Sequence, residues 1–197
     1  MSASTVGLLA LLYEAGRRPS IGDVRRAGEE SGAFGVSFDP GEHEDWAELL
    51  ITGLTFEVAG LVPGEAAPAP EIAHRFGLDG AWPASALEAI VVRPGVHLAG
   101  AAAMLPVVRG AAALAAALAD RTAAAAAVWI PSRSAMGADY FASVIADWLA
   151  GGAFPALGMI ALVPSATGIV SEGLGFFTGQ ELDVETAEGR DIAQAGR

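Results

Sequence analysis

The sequence predicts an α+β fold: a mixed, mainly antiparallel sheet packed by helices, with ferredoxin-like split β-α-β elements. Two observations favour it over a doubly wound parallel sheet. Helices alternate with strands in the second half of the chain, but pairs of strands follow one another elsewhere. The last predicted strand alternates apolar and acidic residues, which is typical of a strand with one solvated face. We expect a single domain over residues 1–185 and a polar tail over 186–197.

The first half of the chain is predicted to begin with a buried strand in the apolar segment 5–13. Ser20 and Asp23 then form an S-x-x-D capping pattern, and apolar residues recur behind it at helical spacing. This pattern predicts a short amphipathic helix that ends near Gly32. Further elements are a strand at 34–38, one or two strands within 46–62, and an irregular loop at 63–86.

The second half is predicted to contain a helix whose surface is apolar on nearly every side, residues 107–119, with Pro106 at a kink or in its first turn. Such a helix is usually covered on two sides, so we expect neighbours for it. The other predicted elements are strands at 87–93, 123–130 and 158–163, a helix at 139–149, and a last strand within 173–185.

Charge and composition exclude several classes of function. The formal net charge is −12, all 11 basic residues are arginine, and cysteine is absent. Without lysine there is no Schiff-base nucleophile and no P-loop lysine, and without cysteine there is no thiolate-ligated metal. The acidic balance argues against nucleic-acid and anionic-membrane partners. We therefore expect no cofactor, no nucleic-acid partner and no membrane partner.

No segment predicts export or membrane insertion. The amino terminus carries no positive residue before its apolar run, unlike a signal peptide. The uncharged window 148–171 is long enough to cross a bilayer, but glycines and prolines interrupt it. A cytoplasmic location is the expectation.

The second half contains a strand at 89–93, an Ala-rich helix at 107–119, Val128-Trp129 ending a strand, and an aromatic-faced helix at 140–149. An apolar strand at 159–163 and the segment Glu-Gly-Leu-Gly-Phe-Phe-Thr-Gly-Gln-Glu-Leu-Asp at 172–183 follow. This pattern, with the proline-bearing loop 61–70, resembles the bacterial family catalogued as domain of unknown function 4261. The resemblance implies no reaction and no catalytic residues.

A candidate anion site lies at Ser132, Arg133 and Ser134, predicted to follow a strand and to precede a helix. Helix amino termini favour anions, and arginine binds phosphate or carboxylate with two parallel hydrogen bonds. His97 is the histidine we add to this ligand-binding set; with Asp120 or Asp139 and one of the serines it also offers a hydrolase-like trio. The alternative is ordinary loop capping with a surface arginine.

Acidic residues concentrate near the carboxyl end, where Glu181, Asp183 and Glu185 are candidates for binding a basic partner. The alternative is a solvated edge strand whose charges prevent pairing with other chains. The glycine-rich segment 173–179 predicts a hairpin or bulge with Phe176 or Phe177 buried. His43 and its acidic neighbours offer cation ligands, but an exposed acidic turn is favoured, so we expect no metal site.

These observations favour a non-enzymatic cytoplasmic interaction or accessory protein that self-associates, with an immunity-type role against a basic partner as its specific form. A homodimer would cover the all-round apolar helix. The alternative is a small-molecule enzyme or anion-ligand binder with its pocket near Ser132–Ser134.

Overall fold

A computed structural model describes residues 7–41, 44–78 and 86–185. These ranges form eleven strands and five α-helices. The strands are β1 (Leu9–Glu14), β2 (Gly35–Phe38), β3 (Trp46–Ile51), β4 (Leu54–Ala59), β5 (His74–Phe76), β6 (Leu87–Pro94), β7 (Ala126–Trp129), β8 (Ser134–Gly137), β9 (Ala161–Pro164), β10 (Gly168–Glu172) and β11 (Asp183–Glu185). The helices are α1 (Ile21–Ser31), α2 (Leu105–Thr122), α3 (Ala138–Leu149), α4 (Ala156–Met159) and α5 (Leu174–Thr178).

The strands build two sheets. The main sheet has eight strands in the order β2-β3-β4-β6-β1-β7-β8-β5, and a small sheet has three in the order β11-β10-β9. Every neighbouring pair is antiparallel except β5 and β8. The predicted α+β class, with a mixed and mainly antiparallel sheet packed by helices, is confirmed.

The centre of the main sheet contains two overlapping split β-α-β units. Strands β6 and β7 are parallel to each other, α2 connects them, and β1 lies between them, antiparallel to both. In the same way β6 separates the parallel strands β1 and β4, and α1 begins their connection. The order β7-β1-β6-β4 is the ferredoxin-like arrangement that the sequence predicted.

All three long helices pack on one face of the main sheet. Helix α2 lies between α1 and α3, and its buried residues, such as Leu114 and Leu118, contact the sheet residues Phe56 and Val92 in one core. Along the stretch 107–119, Arg109 and the alanines 113, 116 and 117 remain half-buried, and the other residues are buried. The expected covering of α2 therefore comes from within the chain, and a homodimer is not needed to bury it.

The opposite face of the main sheet combines alanines with Leu12, Val91 and Val128. Ala10, Ala89, Ala126 and Ala135 are fully buried there. The segment 61–78 crosses this face, with Ile72 and Leu78 among the side chains packed against it. It then joins the sheet as β5 at the far edge, so the chain covers its own second face.

Several short elements differ from the sequence predictions. Strand β5 falls in the predicted loop 63–86, β8 falls between the predicted strand 123–130 and the predicted helix 139–149, and β10 precedes the glycine-rich segment. These strands have three to five residues and little periodicity, so pairing rather than local pattern stabilises them. The predicted hairpin or bulge at 173–179 is wrong: the segment forms the helical turn α5, flanked by Gly173 at φ 93° and Gly179 at φ 83°.

Candidate functional site

The β7–β8 turn places the three residues of the predicted anion site. Ser132 and Ser134 are fully buried and satisfy each other: the Ser132 hydroxyl donates to the Ser134 hydroxyl over 2.8 Å, and Ser134 donates to the Ser132 carbonyl over 3.2 Å. Arg133 lies between them at φ 52°, a left-handed conformation that directs its side chain out of the turn. The serines are therefore structural parts of a tight turn.

Arg133 belongs to a cluster of four charged or titratable side chains. Its Nε donates to Glu172 and its Nη1 donates to Glu71. The second carboxylate oxygen of Glu172 lies 2.8 Å from Nε2 of His74. The hydrogen bond from Arg133, aided by His74, outweighs burial and holds the pKa of Glu172 below its usual value. The cluster joins β5, the β7–β8 turn and β10, and so ties the small sheet to the main sheet.

This geometry changes the basis of the predicted anion site. Strand β8, which begins at Ser134, separates the turn from α3, so the amino terminus of that helix lies at Ala138 and not at this turn. Two carboxylates already bind the Arg133 guanidinium, on its Nε and Nη1 groups. In the structure this site is an ion cluster within the chain, in which Arg133 pairs with the carboxylates of Glu71 and Glu172.

His97 is placed away from this cluster. Its Nε2 lies 3.1 Å from the Thr55 hydroxyl of β4, and three strands separate β4 from β8 in the sheet order. The histidine that the structure brings to Arg133 is His74, which the sequence reasoning did not select. His74 and Glu172 are 98 positions apart, so no local spacing could have indicated their contact.

The small sheet arranges its side chains by face. Because directly opposed residues of antiparallel strands point to the same side, one face carries Leu162, Pro164, Ile169 and Val184 around Ser171. Leu182 precedes β11, accepts the N–H of Ser171 and extends this apolar row. Leu162, Leu182 and Val184 are exposed. The other face of β11 carries Asp183 and Glu185, both exposed. Two of the three predicted partner-binding acids are thus free to meet a partner.

Glu181, the third predicted acid, is bound within the chain. One carboxylate oxygen accepts the N–H groups of Gly173 and Gly175 at 2.9 and 2.8 Å, and the other accepts from Leu174 at 3.1 Å and from the Ser171 hydroxyl at 2.6 Å. Burial raises the pKa of Glu181, but these hydrogen bonds outweigh it and hold the pKa below the usual value. Its role is to cap the first turn of α5.

The remaining predictions meet the structure as follows. His43 lies outside the described residues, so the structure gives no account of the acidic turn around it. In the ranges that are described, no group of three or more His, Asp or Glu side chains is arranged to hold a metal ion. None of the helices in those ranges combines the length and apolarity needed to cross a membrane.

Comparisons of the chain with protein-family models, with curated proteins and with solved structures found no match. The resemblance to domain of unknown function 4261 stays a prediction.

Proposed function

We propose that the chain is a non-enzymatic cytoplasmic interaction protein that docks a basic, extended segment of a partner along β11. The alternation along residues 182–185 carries the proposal: Leu182, just before the strand, and Val184 lie on one face, and Asp183 and Glu185 on the other. A partner strand of matching pattern would alternate apolar and basic residues. Adding a strand to an open sheet edge is a common mode of peptide recognition.

The hydrogen-bond pattern of β11 supports strand addition. Ser171 of β10 donates its N–H to the carbonyl of Leu182, which sets the alternation of paired and outward groups along the strand. The backbone groups of Asp183 and Glu185 therefore point away from β10. Within the described residues, β11 has a strand neighbour on one side only. Its outer edge offers both backbone hydrogen bonds and negative charge.

Charge selects the partner. The chain has a net charge of −12, so its long-range field attracts a basic partner and repels an acidic one. Exposed ion pairs add little affinity each but filter partners and speed association. An immunity-type or accessory role against a basic protein, in the bacterial family that the sequence resembles, is the specific form of the proposal.

Self-association is the second part of the proposal. The apolar helix α2, which first suggested a dimer, is covered by α1 and α3 of the same chain. The apolar row on the small sheet now favours it, because Leu162 and Leu182 are 48% and 51% exposed. Light scattering tests this part: a dimer that Leu182→Lys dissociates supports it, and a monomer at micromolar concentration contradicts it.

The docking proposal is tested with a fluorescently labelled eight-residue peptide that alternates valine and lysine. Fluorescence anisotropy at low salt should show binding that weakens about two- to thirtyfold in the Asp183→Asn/Glu185→Gln variant, since each of the two exposed ion pairs contributes about 0.2–1 kcal/mol. Asp183→Pro should weaken binding more than Asp183→Asn, because proline removes an outward N–H that a docked strand needs.

The matched control is Glu29→Gln/Glu30→Gln, which removes the same charge from the exposed end of α1. This variant should bind the peptide as the unchanged protein does. An equal loss of peptide affinity in both double variants would mean that the net charge of the protein, and not β11, determines binding. Equal binding of a peptide that alternates valine and glutamate would exclude the proposed partner chemistry.

A further inference from the structure

A second candidate site lies on another part of the surface, between the start of α2, the end of α3 and α5. It is a groove of about 450 Å³, within the range of small-molecule sites. Its walls include Leu105, Trp148, Phe154 and Phe177, and among the described residues Arg109 is the one charged side chain that lines it. Leu105 is 54% exposed at its rim.

Aromatic rings form a pre-organised wall of the groove. Trp148 meets Phe154 edge to face at 5.5 Å between ring centres, and Phe154 meets Phe177 in the same way at 5.4 Å. Phe177 in turn stacks on the fully buried Trp129 at 6.0 Å. Rings locked in such contacts lose little conformational entropy when a ligand arrives, which favours binding of apolar groups.

Among the described residues, the Arg109 guanidinium contacts backbone carbonyls and an aromatic ring and has no carboxylate partner. Its Nη1 and Nη2 donate to the carbonyls of Trp148 and Leu149 over 3.3 and 3.1 Å, and its guanidinium carbon lies 4.9 Å from the centre of the Trp148 ring. Within the described ranges, no Asp or Glu oxygen lies within 4.0 Å of it. Six other arginines there do have such partners: Arg18, Arg25, Arg26, Arg93, Arg121 and Arg133.

Arg109 also retains donors for a ligand. A guanidinium has five N–H groups, and two of them account for the carbonyl contacts. The remaining donors stand beside apolar walls, where a charged hydrogen bond is stronger than in open water. The groove thus combines one cation with an apolar and aromatic surface, which is complementary to a ligand with one anionic group and an apolar body.

We propose that this groove binds a free amphipathic carboxylate, such as a medium-chain fatty acid. The carboxylate receives hydrogen bonds from Arg109, and the alkyl chain lies against Trp148, Phe154 and Leu105. Physiological salt screens charges beyond about 8 Å, so the protein's net negative charge opposes such a ligand only weakly. The local arginine therefore decides the preference for an anion.

The test compares sodium decanoate with decanol and with decyltrimethylammonium, each below its micelle concentration. Isothermal titration calorimetry should show decanoate binding at least about tenfold more tightly than decanol, because a hydrogen bond to a charged group contributes about 1.5–3 kcal/mol. The cation should bind most weakly. Equal affinity for the acid and the alcohol would overturn the proposal.

Two variants and a control locate the ligand. Arg109→Gln should remove the preference for decanoate over decanol, while Arg17→Gln, an equal loss of charge elsewhere on the surface, should leave it unchanged. Because Arg109 also contacts the end of α3, Leu105→Asp is the second variant. Its exposed side chain tolerates replacement, and a carboxylate beside Arg109 should weaken decanoate binding about two- to fivefold. Unchanged decanoate binding in Leu105→Asp would overturn the assignment.

A second copy of the chain is the competing occupant. If light scattering shows a dimer that Leu105→Asp dissociates, and decanoate neither binds nor shifts that equilibrium, the groove is an interface between copies and the ligand proposal is wrong. A dimer that decanoate itself dissociates would support the ligand, because both would then compete for one surface.

Discussion

The hydroxyl of Ser171 donates a 2.6 Å hydrogen bond to the carboxylate of Glu181, which at the same time caps α5. The Ser171 hydroxyl also accepts the N–H of Leu182 over 2.7 Å. These contacts fasten the segment before β11 to β10. The proposed docking edge therefore depends on an internal carboxylate that does not itself face the partner.

Glu181→Ala should destabilise the small sheet. The change leaves the N–H groups of Gly173, Leu174 and Gly175 without their acceptor, and loss of a helix-capping oxygen typically costs about 1 kcal/mol. Hydrogen exchange should show faster exchange of these amides. Glu185→Ala is the control from the same acidic segment and should leave their exchange unchanged; similar exchange rates in both variants would contradict the capping role.

Acid should weaken the fold through Glu172 and Glu181. A carboxyl whose pKa is lower in the folded chain adds stability above its unfolded pKa, and loses it as the pH falls through the folded value. The free energy of unfolding should therefore decline as the pH falls below 4.5, the usual pKa of a glutamate. Compared with the unchanged protein, Glu172→Gln should have a lower free energy of unfolding at pH 7, and that free energy should fall less steeply as the pH is lowered.

Glu71→Gln is the control for the Glu172 measurement. Glu71 also binds Arg133, but its side chain is 74% exposed, so its ion pair should contribute little. Urea unfolding at several pH values would show this difference. A Glu71 variant as unstable as Glu172→Gln would mean that Arg133, rather than Glu172, holds the cluster together.

Tyr13 should make the fold sensitive to alkali. Burial raises its pKa, although its hydroxyl lies 2.8 Å from the Thr122 hydroxyl. When the pKa of a tyrosine is higher in the folded chain than in the unfolded chain, the folded chain loses stability as the pH rises above about 10, the unfolded pKa. Tyr13→Phe should cost about 1 kcal/mol at neutral pH, from the lost hydrogen bond, and should unfold less steeply in alkali. The half-exposed Tyr140 supplies the control, Tyr140→Phe, and equal alkaline slopes in the two variants would exclude this role for Tyr13.

Two glycines of α1 should respond oppositely to alanine. A Cβ on Gly28 would lie 2.7 Å from the carbonyl oxygen of Phe34, which is backbone and cannot move aside cheaply, so Gly28→Ala should destabilise by about 1–3 kcal/mol. A Cβ on Gly22 would meet nothing closer than 3.5 Å, so Gly22→Ala should stabilise by up to about 1 kcal/mol. Thermal unfolding of both variants measures this, and a stabilising Gly28→Ala would contradict the contact.

The fold class follows from the order of elements along the chain, whereas the confirmed helix ends rest on signals within a few residues. The capping box of Ser20 and Asp23 is present, and Gly32 ends α1 in a left-handed conformation. Pro106 lies in the first turn of α2. Each signal is local, because a cap or a missing N–H acts on the adjacent turn alone.

The features that were missed depend on distant parts of the chain. Strand β8 has four small or flexible residues, and its pairing with β7 and β5 decides its conformation. The charges around Arg133 come from Glu71 and Glu172, which are 62 and 39 positions away. Contacts over such distances cannot be predicted from spacing in the sequence. Arg133 could therefore be selected as a candidate site residue, but its partners could not be identified.

The placement of β1 has a consequence for how the chain is made. This strand is synthesised before both of its neighbours, because β6 and β7 follow it roughly 75 to 120 residues later. At about 5–20 residues per second, its apolar Leu-Ala-Leu-Leu-Tyr segment waits about 6 to 23 seconds for its second neighbour. We expect the nascent chain to need protection during that interval, since long-range pairing folds slowly and leaves unpaired strands open to aggregation.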